Sequence, residues 1–126
     1  MNIGFVADRW WETEMRLRKF MGELKKVGHH FSVLSCPRGR PRKGVSREGV
    51  AFFEPELPIS SSRMWTMDFL EDTYRSVSSQ WFPALERFIG ESRPDVLHVN
   101  DLPLSWIVGQ AGKRHGIPVV VDYHEA

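Results

Sequence analysis

The stretch "RPDVLHVNDLPLSWIVGQAGKRHGIPVVVDYHEA", Arg93 to Ala126, decides how this chain is read. Within it "PDVLHV" and "GIPVVVDY" are short apolar runs rich in β-branched residues, and both read as strands. Between them Leu104, Ile107, Val108 and Ala111 fall on one face of a helix. Strand, helix, strand implies parallel pairing through a right-handed crossover. Each strand then finishes on reactive side chains. His98, Asn100 and Asp101 close the first; Asp122, His124 and Glu125 close the second.

Working outward, "NIGFVA" (Asn2 to Ala7) reads as a buried first strand. Leu17, Phe20, Met21, Leu24 and Val27 recur at helical spacing, and Gly28 follows where a C-terminal cap is expected. A second strand runs from His30 to Cys36 and stops at Pro37; a third runs from Val50 to Glu54. The intervening "PRGRPRKGVSR", rich in Pro, Gly and basic residues, reads as loop. From Trp65 to Ile89, Leu70, Tyr74, Val77, Trp81, Leu85 and Phe88 mark a helix that Pro83 should kink or restart. The chain is therefore expected to be one α/β domain over residues 1–126, a Rossmann-like, doubly wound parallel sheet with its five strands in the order 3-2-1-4-5. A flavodoxin-type order is the alternative.

With 41% apolar and 26% charged residues, the composition is that of a globular chain, not a disordered one. A formal net charge of +1 argues against nucleic-acid coating. The single cysteine, Cys36, excludes an internal disulfide and fits a reducing compartment. "MNIGFVADRWW" has neither the basic nor the long apolar region of a signal peptide, and no apolar run approaches the roughly 20 residues that span a bilayer. A cytoplasmic location is expected.

Open parallel sheets bind ligands beyond the carboxyl ends of their strands, where the winding reverses. In the expected order that reversal lies between strands one and four. Arg9, Trp10 and Trp11 after strand one are therefore substrate-contact candidates, together with His98, Asn100, Asp101, His124 and Glu125. An exposed tryptophan there could stack on a sugar ring. The turn "ADRWWETEM" has no glycine, so the G-x-G-x-x-G fingerprint is absent and ordinary NAD binding is not expected. Asp101, followed by Pro103, also suits a helix N-cap. Without an H-E-x-x-H or Cys/His cluster no metal centre is expected. Arg38, Arg40, Arg42, Lys43 and Arg47 form a basic loop, read either as solvated surface or as contact with anionic lipid or a phosphate-bearing acceptor; the first four are the candidates for that anionic contact.

The tail resembles the second half of the N-terminal domain of family 4 retaining glycosyltransferases with the GT-B fold. That family commonly writes P-D-[VI]-[VI]-H-x-H-D, an apolar helix, then a G-[IV]-P-[VL]-V strand ending in D-x-H-E. "MRLRKFMGELKKVGHHFSVLS" is similar to its first helix and second strand. The resemblance implies the acceptor-side half of a two-domain enzyme that transfers a hexosyl group from a nucleotide sugar with retention. It implies no cofactor beyond that co-substrate, and a sugar or lipid-linked acceptor. His124 would contact the donor sugar near the reacting centre and Asp101 would orient hydroxyls, with His98 and Glu125 in support.

Two departures stand out. "DRWWETEM" replaces the glycine-rich loop of many members, and Asn100 stands where the family usually has a second histidine, whose role is not carried over. Because such domains normally continue into further strands and a donor domain, the chain reads as a truncated N-terminal domain, inactive alone. Its fifth strand would then be a bare edge open to self-association. A sugar-nucleotide epimerase half and a non-catalytic module binding a phosphate-bearing partner are the alternatives. Peripheral contact with the inner membrane face is the corresponding expectation for the basic loop.

Overall fold

A computed structural model describes residues 1–7, 10–13, 15–57, 70–99 and 102–122, the side chains at positions 13, 70–78, 102 and 103 excepted. Strands β1 (Asn2–Ala7), β2 (His30–Ser35), β3 (Arg42–Val45), β4 (Ala51–Glu54), β5 (Val96–Val99) and β6 (Val119–Val121) form one sheet in the order β3-β4-β2-β1-β5-β6. Helices α1 (Met15–Lys25), α2 (Leu70–Ser92) and α3 (Leu102–His115) connect them, with a single 3₁₀ turn at Trp11–Thr13. The parallel part, β4-β2-β1-β5-β6, has the expected doubly wound order.

Alternation of side chains along each strand sends apolar residues to both faces of the sheet. Phe5, Phe31, Val33 and Phe52 pack beneath Leu17 and Met21 of α1. Val6, Leu34, Leu97 and Val99 pack on the other face against Trp81, Leu85 and Phe88 of α2 and Leu104, Ile107 and Val108 of α3. Two covered faces explain why these strands read as nearly continuous apolar runs.

The structure corrects the sequence reading in two places. The stretch expected to be all loop contains β3, which pairs antiparallel with β4. Its tight connection is made by Ser46 to Gly49, where the Gly49 N–H donates to the Ser46 carbonyl at 3.0 Å and Gly49 has φ 85°. That left-handed position at the end of a short turn is what glycine provides in such hairpins. Secondly, of the expected kink or restart at Pro83, the restart is absent, since α2 runs through it as one helix. Proline removes one N–H, yet Trp81, Leu85, Phe88 and Ile89 are buried on both sides of it. Tertiary packing outweighs the lost bond.

Helix ends follow local chemistry. Gly28, at φ 89°, donates to the Lys25 carbonyl while His29 donates to that of Leu24, the paired bonds of a Schellman cap. Arg93 ends α2 with φ 47°, a left-handed conformation that a side chain disfavours, and donates to the Ile89 carbonyl at 2.9 Å. Arg93→Gly is therefore expected to stabilise the fold by about 0.5–1 kcal/mol. An unchanged or lower midpoint in chemical denaturation would contradict it.

The two sheet edges differ. At one, β3 carries Arg42 and Lys43. At the other, β6 is all valine and Val120 is 48% exposed. Among the described residues no strand pairs with the outer side of β6; such apolar edges recruit other chains, so concentration-dependent self-association is expected, abolished by Val120→Lys. A clean monomer in sedimentation at high concentration would rule it out. No helix among the described residues is long and apolar enough to cross a membrane.

Candidate functional site

The chain runs outward from β1 to β2 and β4, then returns to β5 on the other side of β1. The reversal thus falls between β1 and β5, whose register places Val6 opposite Val99. Ligands of open parallel sheets lie beyond such a point. Just after β6 the Asp122 N–H donates to the Val99 carbonyl at 2.9 Å, so the ends of β5 and β6 are tied together there. Arg9, Asn100, Asp101, His124 and Glu125 lie outside the described residues, as does the N-cap reading of Asp101.

His98 is 7% exposed and faces α1, its ring 5.0 Å from that of Phe5 and 5.3 Å from that of Phe20. At this position the imidazole is packed among aromatic rings and does not line the open rim.

The tryptophan pair divides. Trp10 is partly exposed. Trp11, expected to be an exposed stacking surface, is 1% exposed, and this corrects that expectation. The 3₁₀ turn carries its ring inward, where it stacks on Phe52 with centroids 6.4 Å apart. Its Nε1–H donates to Glu54 Oε2 at 3.0 Å. Glu54 ends β4, and its side chain is fully buried.

Arg42 completes this arrangement. Its Nε donates to Glu54 Oε1 and its Nη2 to Glu12 Oε1, both at 2.9 Å, while the guanidinium lies 4.4 Å from the Phe52 ring centroid. The hydrogen bond to Glu54 raises the Arg42 pKa above its ordinary value; burial opposes the shift and Glu12 adds to it. On the arginine side, a folded-state pKa raised in this way contributes stability that is present below the ordinary arginine value and lost as pH rises through the folded value. Mutation tests the contact at neutral pH, where both partners are charged. The turn after β1 is thus held to the β3–β4 hairpin by a buried carboxylate shared between an indole and a guanidinium. Sequence gave no sign of this, since Trp11 and Glu54 are 43 positions apart.

The basic loop is likewise divided. Arg42 is bound as above, and Lys43 Nζ pairs with Glu91 Oε2 of α2 at 2.6 Å. Each of these two therefore already has an anionic partner within the fold, although Lys43 keeps a side-chain exposure of 62%. Arg38 and Arg40 are exposed, and Arg38 lies 4.8 Å from the centroid of the Trp10 ring.

A cleft of about 610 Å³ lies between the β3–β4 hairpin and α2, lined by Lys43, Phe53, Pro83, Arg87, Phe88 and Glu91 among others. It sits on the hairpin side of the sheet, away from the reversal, and the Lys43–Glu91 pair spans it. The rim is the better candidate site, because only there do the ends of β1, β5 and β6 converge.

The profile of the glycosyl transferase 4-like domain matches residues 13–126. The chain belongs to that family. The glycosyl transferase 4-like domain is also similar to solved GT-B glycosyltransferases. Sucrose-phosphate synthase from Thermosynechococcus elongatus superposes with a TM-score of 0.69 at 11% identity, over 99% of this chain and 33% of that one. Arabidopsis thaliana UGT89C1, complexed with UDP, gives 0.62 at 11% identity, over 95% and 33%. The C-terminal domain of a hydrogenase from Pyrococcus furiosus gives 0.62 at 14% identity, over 96% and 89%. The last comparison shows that the fold alone does not specify the chemistry. The chain spans about a third of the length of the sucrose-phosphate synthase it matches. No curated protein matches it.

Proposed function

We propose that this glycosyl transferase 4-like domain is the acceptor-side wall of an enzyme that moves a hexosyl group from a nucleotide sugar with retention. In this reading it works opposite a second Rossmann-like domain that holds most of the donor. One observation carries the proposal: the family match over residues 13–126 includes β5 and β6, whose ends lie beside that of β1 at the reversal. His124 then contacts the donor sugar beside the reacting carbon, and Asp101 orients hydroxyls. Glu125 acts in support, Arg9, Trp10 and Asn100 touch substrate, and the buried His98 supports only indirectly, by packing the end of β5 on Phe5 and Phe20. As the nucleoside diphosphate leaves with the bonding electron pair, positive charge develops on the sugar ring. Groups fixed around that charge stabilise it far better than mobile water does. The family match does not favour the epimerase or the binding-module alternative.

The test uses the full-length gene product with hexoses linked to uridine, guanosine or adenosine diphosphate and a panel of sugar and lipid-linked acceptors. Transfer with retained anomeric configuration, read by NMR of the product, is expected. Residues 1–126 alone should neither transfer sugar nor bind a nucleotide sugar tightly, because half a site leaves its groups facing water. An inverted product would overturn retention, and turnover by the isolated domain would overturn the two-wall arrangement.

A further inference from the structure

We infer that Arg38 and Trp10 form a subsite for the phosphate group of the acceptor, so that the ligand on this wall is phosphorylated and not a free sugar. This deepens the acceptor-side reading above and rests on it for the word acceptor; the phosphate contact itself does not depend on it. Position comes first. Trp10 lies three residues beyond the end of β1 and Arg38 three beyond the end of β2, and these neighbouring strands finish in register at Ala7 and Ser35. Parallel strands ending together deliver both residues to the same carboxyl-end rim, beside the reversal point.

Geometry comes second. The Arg38 guanidinium carbon is 4.8 Å from the Trp10 ring centroid, well inside the range of a cation–π contact. A guanidinium laid on an indole face keeps the N–H donors along its edge available, and their fork matches two oxygens of a phosphate. The stacking also holds the arginine in place beforehand, so less side-chain freedom is lost on binding.

Charge comes third. Arg42 also lies over Trp10, at 5.9 Å, but two carboxylates share its charge, and Lys43 is paired with Glu91. Neither adds net positive charge to the rim. Among the described residues no carboxylate pairs with Arg38 or Arg40. Of these two, Arg38 alone is held by a ring. The four basic residues from Arg38 to Lys43 thus reduce to one oriented cation with one exposed neighbour. That suits a single phosphate group better than a broad anionic surface. The phosphate could belong to a sugar phosphate or to a lipid headgroup, and the experiment separates the two.

The Trp10 indole N–H resonance of the 126-residue chain is followed by ¹H–¹⁵N NMR. Glucose 6-phosphate should shift it saturably with a Kd of about 1–10 mM, the strength of one or two charge-assisted contacts at an exposed site. Glucose at the same concentrations should leave it in place. Arg38→Ala should weaken binding by about tenfold, and Arg38→Lys by nearly as much, since lysine neither stacks as a plane nor forks. Arg40→Ala should change it by less than about twofold, the size of a screened rim charge. If only phosphatidylglycerol vesicles move the resonance, and Arg38→Ala abolishes that, the phosphate is a headgroup and the subsite stands. No response to either probe, or wild-type binding by Arg38→Ala, would overturn it. No donor or turnover enters this measurement. A full-length protein without transferase activity but with Arg38-dependent phosphate binding would refute the transferase reading and leave the subsite intact.

Discussion

Alanine in place of His124 should lower turnover of the complete enzyme by about 10²–10³-fold, the usual cost of removing one group fixed beside developing charge. The melting temperature should stay within about 2 °C of wild type, as for substitutions away from the core. The end of β6 is fastened by the Asp122 N–H to the Val99 carbonyl, and His124 follows Asp122 by two positions in the sequence. Wild-type turnover by His124→Ala would remove the central residue of the proposed site. Asp101→Asn complements this test, since asparagine caps a helix nearly as well as aspartate. Lost activity with unchanged melting would assign Asp101 to substrate, whereas lost stability would assign it to capping α3.

Arg42→Ala should destabilise the domain by about 2–3 kcal/mol, a fall of roughly 8–12 °C in Tm for a chain of this size. The cost falls on Glu54, whose fully buried carboxylate would be left with only the Trp11 N–H. Removing one member of a buried pair costs about 3–5 kcal/mol, but Arg42 is 44% exposed and water can partly replace it, so the lower figure applies. Adding Glu54→Gln should recover part of the loss, because a neutral amide is cheaper to keep buried than a charge. A double variant no more stable than Arg42→Ala would mean that packing on Phe52, not the charge, sets the effect.

How much of this was legible in the sequence depends on distance along the chain. The parallel strands and the three helices announced themselves through local periodicity, and Gly28 marked a helix end for a reason confined to one turn. β3 was hidden because Pro, Gly and four basic residues in "PRGRPRK" mimic loop composition. Its one local signal was the "SREG" turn at Ser46 to Gly49, whose last residue invites a left-handed hairpin position. Trp11 could not be separated from Trp10 by pattern. Which of two adjacent indoles turns inward depends on Glu54, and that partner arrives only through sheet assembly. The rim was placed by topology, whereas the pairing of Arg42 and Lys43 with carboxylates required coordinates.

The unequal sheet edges also bear on how large an assembly this chain can build. Two copies meeting β6 to β6 about a two-fold axis would join antiparallel, each using the same patch, and such an isologous contact closes on itself. What then remains at both ends of the joined sheet is β3, with Pro41 before it and the ion-paired Arg42 and Lys43 upon it. Short, charged, proline-flanked strands are poor templates for a further chain. Growth therefore terminates by symmetry at the dimer, and increasing concentration should populate one heavier species instead of a ladder or a fibre.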